Sequence, residues 1–285
     1  MTVGIVTDST ADISPQQARM LGITVIPLTV FFGEDAYLDG IELDNADFYT
    51  KLQESEVFPR TSQPSPTVFQ EAYLRLIDSG VDCILSVHIS SKLSGTYQCA
   101  CVARDTLPDD VKKIPLEIVD SQSISVGMSQ AVLQAAREAR MGVGLKEIKA
   151  HLLDQLSRTR VLCVLDTLEY AKRGGRLGSA AAFLGTLLNI KPIISLKDGA
   201  VIAVERPRTR SKAYTRIAEL ISGMGKIEQL VLGESNEEVG QELAQALKTI
   251  CQGDIPRYKL GAVLGAHGGP GIVGVGVITA GKSQE

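Results

Sequence analysis

Hydroxyl side chains collect at the ends of three apolar runs, and this recurrence is the first sign of chemistry in the chain. Val3–Thr7 leads into Asp8, Ser9 and Thr10, and Cys83–Val87 leads into His88, Ser90, Ser91, Lys92, Ser94, Gly95 and Thr96. Ile114–Val119 leads into Asp120, Ser121, Gln122 and Ser123. If these runs are strands of one parallel sheet, their ends share the edge at which open α/β sheets bind ligands. Hydroxyls beside helix starts bring together O–H groups, backbone N–H groups and positive dipole ends, a set suited to an anion. Any one serine reads equally well as an N-cap or turn residue. Ser94-Gly95-Thr96, with a hydroxyl on each side of a glycine at a helix start, reads as readily as a binding segment as it does as a cap.

Three further segments carry polar groups in unusual company. Arg60–Pro66 contains Thr61 and Ser62 in a polar loop stiffened by prolines. Lys172–Arg176 is basic, contains Arg173 and encloses two glycines; it reads as cations at a helix end or as an anion site. Gly265–Gly271 sets His267 among glycines, which let backbone approach a ligand closely. Ser94 and His267 form a candidate nucleophile and base for a hydrolase or acyl transferase, but no acidic orienter can be assigned to them. Lys172–Arg176 with Arg206–Lys212 would suit an acidic protein partner, and reads equally as solvated surface.

Several chemistries are missing from the chain. It has no G-x-x-x-x-G-K-[ST] loop, no G-x-G-x-x-G after a strand and no G-x-S-x-G elbow. His88, His151 and His267 show no metal-ligand spacing, so neither a metal nor a cofactor is expected.

These residues need a frame to bring them together. Strand-like runs fall at Val3–Thr7, Thr24–Phe32, Cys83–Ile89, Ile114–Val119 and Arg160–Leu165. Helix-like stretches alternate with them near Pro15–Leu21, Ala46–Gln53, Pro66–Ser79, Ser125–Arg140 and Leu145–Ser157. Ser14 before Pro15 and Ser65 before Pro66 each fit an N-cap followed by proline in the first turn. Strands that are apolar throughout and alternate with helices imply a doubly wound parallel sheet, expected over residues 1–165.

Beyond Leu165 the pattern changes. Helices are expected at Leu168–Arg173, Ala180–Leu188, Lys212–Ser222 and Glu237–Cys251. Ile190–Leu196 and Ala200–Glu205 read as a hairpin about Asp198-Gly199. Further strands are expected at Gln229–Leu232, near Tyr258 and at Ile272–Thr279. Residues 166–285 are therefore expected to form an α+β domain with a mixed or antiparallel sheet. The fold class is α/β with two domains.

Bulk properties exclude other classes. The 285 residues are 44% hydrophobic and 22% charged, enough for a real core. A net charge of −4 and a sequence pI near 5.6 give no global basic field for nucleic acid. Trp is absent, which removes the best stacking platform for single strands. Five cysteines without C-x-x-C spacing, and an N-terminus without a secretory pattern, lead us to expect reduced thiols in a cytoplasm. No apolar stretch is long enough to span a membrane.

Taken in order, these segments resemble the DegV family. The matching stretches are Val6–Asp12, Thr61–Ser65, Ser90–Tyr97, Val119–Ser121, Leu168–Arg176, Lys191–Ile193, Arg208–Ala213 and Ala266–Gly271, and they run along nearly the whole chain. The resemblance implies a long-chain fatty acid held between two α/β domains. It assigns the carboxylate to Thr61 or Ser62 and to Ser94, with backbone help at Gly95, and puts His267 and Arg173 close to the head group. It further implies a protein that is not an enzyme by itself but presents its acyl chain to a separate ATP-dependent fatty acid kinase subunit. The arginine tied to phosphoryl transfer falls on Arg208, with Arg206 as the other register and Arg210 on the same partner face. Transient membrane contact would accompany a lipid cargo.

Overall fold

Six consecutive buried residues form β1 (Val3–Asp8), the pattern of a central strand covered on both faces. α1 (Pro15–Leu21) is started by Ser14, whose hydroxyl accepts from the Gln17 N–H in a capping box. Next come β2 (Ile23–Ile26), β3 (Thr29–Phe32), β4 (Asp35–Leu38), α2 (Asn45–Glu54) and β5 (Arg60–Ser62). They are followed by α3 (Pro66–Asp78), β6 (Cys83–His88), α4 (Thr96–Asp105), β7 (Leu116–Asp120), α5 (Ser129–Arg140) and α6 (Leu145–Arg158). The computed structural model describes residues 1–183 and 190–281.

The first sheet has the order β2-β1-β6-β7 and is parallel throughout. Alternate side chains serve its two faces. Ile5, Leu85 and Val87 pack with Val132, Leu133 and Ile148 of α5 and α6 on one side. Val6 and Ile84 pack with Phe69 and Tyr73 of α3 and Ala100 of α4 on the other. The expected doubly wound arrangement is present.

Thr24–Phe32 is two strands, not the single strand expected. Pro27 lacks an N–H and interrupts the ladder, so β2 stays in the parallel sheet. β3 turns away to form a separate antiparallel sheet, β4-β3-β5.

The second large sheet begins with β8 (Thr159–Val164), followed by α7 (Glu169–Arg173), a 3-10 turn at Gly178–Phe183, β9 (Ile193–Lys197) and β10 (Ala200–Glu205). α8 (Arg210–Ser222), β11 (Ile227–Glu234), α9 (Glu237–Leu247), β12 (Arg257–Lys259), α10 (Ala262–Gly268) and β13 (Val273–Thr279) complete it. Its order is β10-β9-β8-β13-β11-β12, antiparallel except for the β11–β12 pair. Asp198 and Gly199 both have left-handed backbone, φ 51° and 79°, as a two-residue hairpin turn requires. α8 and α9 cover one face through Ile217, Ile221, Leu243 and Leu247.

Two expectations change here. Arg160–Leu165, read as the fifth strand of the parallel sheet, is β8 and pairs antiparallel with β13 and β9. Its buried residues alternate along its second half, the mark of a strand with one wetter face. The helix expected at Ala180–Leu188 is a short 3-10 turn up to Phe183, and residues 184–188 lie outside the described residues.

Candidate functional site

The loops leaving β6 and β7 meet the uncovered face of the second sheet, the small sheet and α10, and these elements enclose a cavity. The empty space within it, open solvent at the mouth included, is about 1080 Å³. The floor is a row of four residues in register across four strands: Gly233, Gly274, Cys163 and Ile194. Leu28, Ile89, Ile124, Val126, Leu165, Leu260, Val263 and Leu264 add apolar wall. Ser195 and Ser125 also line it, but their hydroxyls are engaged, Ser195 with the Val161 carbonyl at 2.6 Å and Ser125 with the Asp12 carboxyl.

Polar groups converge at one end. Thr61 is the middle residue of β5, held opposite Val30 of β3. Its Oγ1 lies 2.8 Å from Nε2 of His267, in the last turn of α10. Glycines allow this approach. A Cβ on Gly174, just past α7, would come within 2.1 Å of His267 Nδ1, and one on Gly265 within 2.2 Å of Phe48. Burial pushes the His267 pKa down to about 4, with Arg176 adding to the effect, so the imidazole is neutral at physiological pH. Its Nδ1 is buried without a partner.

Ser94 lines the same cavity. Its Oγ lies 2.8 Å from Thr96 Oγ1 and accepts from the Thr96 N–H at 3.3 Å. Gly95 stands against Gln63, where a Cβ would meet the Gln63 amide at 3.3 Å. α4 starts immediately after Gly95 and turns its N-terminal dipole to this end of the cavity.

Thr61, Ser62, Ser94 and His267 thus line one cavity, with Gly95 directly behind Gln63. Ser94 and His267 are not hydrogen-bonded to each other; each is taken by a threonine. Arg173 is not on the wall. Its Nε donates to Glu169 at 2.7 Å and its guanidinium lies 3.7 Å from the centre of the Phe58 ring. The wall arginine is Arg176, which donates to the carbonyls of Leu93 at 3.1 Å and Gly174 at 2.6 Å. The basic stretch pointed to this region, and past the left-handed turn at Gly175, φ 70°, it is the exposed Arg176 and not Arg173 that reaches the cavity lining. Gln63 was legible only as part of the polar loop.

Sequence reading missed the anchor of α10. Asp12, after β1, accepts from the Gly261 N–H at 2.8 Å, and Asp39 accepts from the Ala262 N–H at 3.0 Å. Burial raises both carboxyls, Asp12 to about 8. Together they fix the start of the helix whose end carries His267.

Arg208 and Arg210 lie off the cavity. Arg210 binds both oxygens of Asp166, with Nε 2.9 Å from Oδ1, and Lys191 Nζ reaches the same Oδ1 at 2.9 Å. Burial alone would raise Asp166, but these two cations hold it below the usual carboxylate range. Arg208 is exposed. Among the described residues no cluster could hold a metal ion, and no helix is long and apolar enough to cross a membrane.

Fold and site together define an α/β protein of two large sheets with a largely apolar cavity into which hydroxyl groups face. A family profile described as "Uncharacterised protein, DegV family" matches residues 2–280. This chain belongs to the DegV family. It is 37% identical over 278 residues to a DegV domain-containing protein of Halalkalibacterium halodurans, covering 96% of this chain and 97% of that relative. Among solved structures, a fatty-acid-binding DegV family protein from Thermus thermophilus matches with TM-score 0.88 and 35% identity, covering 98% of this chain and 100% of that one. DegV of Bacillus subtilis, described as a fatty acid binding protein, matches with TM-score 0.84 and 31% identity over 98% and 100% of the two chains.

Proposed function

We propose that this protein binds a long-chain fatty acid in the cavity, with its carboxylate at the hydroxyl end. The carrying observation is the asymmetry of the site: Thr61, Ser62, Gln63, Ser94, His267 and Arg176 supply its polar groups, while the other lining residues are apolar or glycine apart from Ser125 and Ser195, whose hydroxyls are engaged. In the Nε2–H tautomer, neutral His267 donates to Thr61 Oγ1 and frees the Thr61 O–H to point at the ligand. Hydroxyls of Thr61 and Ser94, with backbone beside Gly95, then hold the carboxylate by charge-assisted hydrogen bonds, and Ser62, whose Oγ donates to the Gln63 carbonyl at 3.2 Å, is the alternative donor to Thr61 once it turns from that carbonyl. Each buried methylene contributes about 0.8 kcal/mol, so the chain supplies affinity and the head group supplies orientation.

The relatives described as binding fatty acids support this reading. Native mass spectrometry of protein expressed in lipid-replete cells tests it. The expected result is an added acyl mass that is lost on delipidation and regained on titration with a fatty acid. An unchanged bare mass after both steps would refute it.

Presentation of the ligand to a separate ATP-dependent kinase in the cytoplasm extends the proposal. The lack of any nucleotide loop supports a division of labour, and exposed Arg208 beside Arg210 offers a face for the partner. A hydrolase using Ser94 and His267 is disfavoured, because a histidine with a pKa near 4 is a weak base and is bonded to Thr61.

A further inference from the structure

Accepting fatty acid as the ligand, the question left open is what ends the acyl chain. The floor row runs from Ile194 on β9 through Cys163 on β8 and Gly274 on β13 to Gly233 on β11. Three strand steps span about 14 Å at the usual interstrand spacing. The head-group end lies toward β9 and β10, since Gly174 abuts His267 and Gly178 abuts the carbonyl of Val201 on β10. α10 spans the same direction: His267 is in its last turn, while Leu260 precedes its first residue. The β11 end of the row is therefore the blind end.

That end is built by contact between small and large residues. Gly233 sits beneath Leu260 and Val126, and a Cβ there would come within 2.6 Å of Leu260 Cδ2 and 3.1 Å of Val126 Cγ1. Leu260 and Val126 are 3% and 4% exposed, so they form a closed stop. Behind it Ser125 and Gly261 are both bonded to Asp12, which borders an outer groove.

We propose that Leu260 and Val126, seated over Gly233, form the stop that sets the longest acyl chain this protein accepts. Leu260 is the adjustable part, because its side-chain end is what an added group at Gly233 would displace. Removing the Leu260 side chain deepens the cavity along the chain axis, and adding a methyl at Gly233 shortens it. Neither change touches the carboxylate site.

The test is competition among an equimolar series of saturated acids from dodecanoic to docosanoic, read by native mass spectrometry of the delipidated full chain. Leu260→Ala should move the preferred acid to longer chains by two or more carbons. Gly233→Ala should move it to shorter chains, and Val126→Ala, a smaller truncation, should lengthen it should Leu260→Ala fail to fold. Acyl binding with the same preferred length in every folded variant overturns the proposal alone. Failure of the unaltered protein to take up any acid overturns the fatty-acid reading and this inference with it.

Discussion

Thr61 Oγ1 and His267 Nε2 stand 2.8 Å apart although 206 positions separate them in the chain. That contact joins the small antiparallel sheet to α10 and puts two polar groups at the end of an otherwise oily cavity.

Replacing Thr61 with valine keeps its shape and removes the hydroxyl. Affinity for a long-chain acid should fall about tenfold or more, corresponding to loss of a charge-assisted bond of about 1.5–3 kcal/mol. Displacement of a fluorescent fatty acid measures it, and an unchanged affinity in a folded variant would remove Thr61 from the site.

The depressed pKa of His267 sets a pH signature. A depressed folded value near 4 against an ordinary 6.5 means that its contribution to stability is present above pH 6.5 and is lost as pH falls toward 4. Fatty-acid affinity should not strengthen between pH 7 and 5, as it would if the ring became cationic in that range. Titration of the ring by NMR in the delipidated protein checks this; a midpoint near 6.5 would contradict it.

Asp12 predicts the opposite slope. Its folded pKa is raised to about 8, so its stabilising contribution is complete below pH 3.8 and is lost as pH rises toward 8. The limit is about 1.4 kcal/mol per pH unit, lessened by the partial exposure of the side chain. Asp12→Asn should flatten urea stability between pH 5 and 8 relative to wild type, and equal slopes for the two proteins would argue against a protonated Asp12.

Arg208 and Arg210 should separate on substitution. Arg210→Ala strips two bonds from Asp166 and should cost about 1–2 kcal/mol in denaturant unfolding. Arg208→Ala should leave stability and fatty-acid affinity unchanged while lowering acyl-phosphate formation with a kinase partner at least tenfold. Full acyl-phosphate yield would remove Arg208 from that face.

Much of the frame was legible before the structure. Continuous apolar runs identified β1 and β6, and Ser-Pro pairs placed the starts of α1 and α3, because burial on both faces and helix starts leave local signatures, whereas β7 at the sheet edge is only partly buried. The break at Pro27 and the sheet membership of β8 were not legible in that way. A strand carries its own burial pattern but not the name of its neighbour, and β8 finds its partners at β9 and β13 farther along the chain.

The candidate site divides along the same line. Residue types pointed to the strand-end hydroxyls about Ser94-Gly95-Thr96 and to His267 among its glycines, while Thr61 and Ser62 entered the set only through the resemblance to the DegV family, because a serine or threonine in a loop serves equally well as a cap or turn residue. Tertiary structure decided which arginine reaches the cavity, that Asp12 and Asp39 hold the start of α10, and that Leu260 packs over Gly233. Those facts rest on contacts between residues distant in sequence and on angles set by packing, and no local pattern encodes a distance across two sheets.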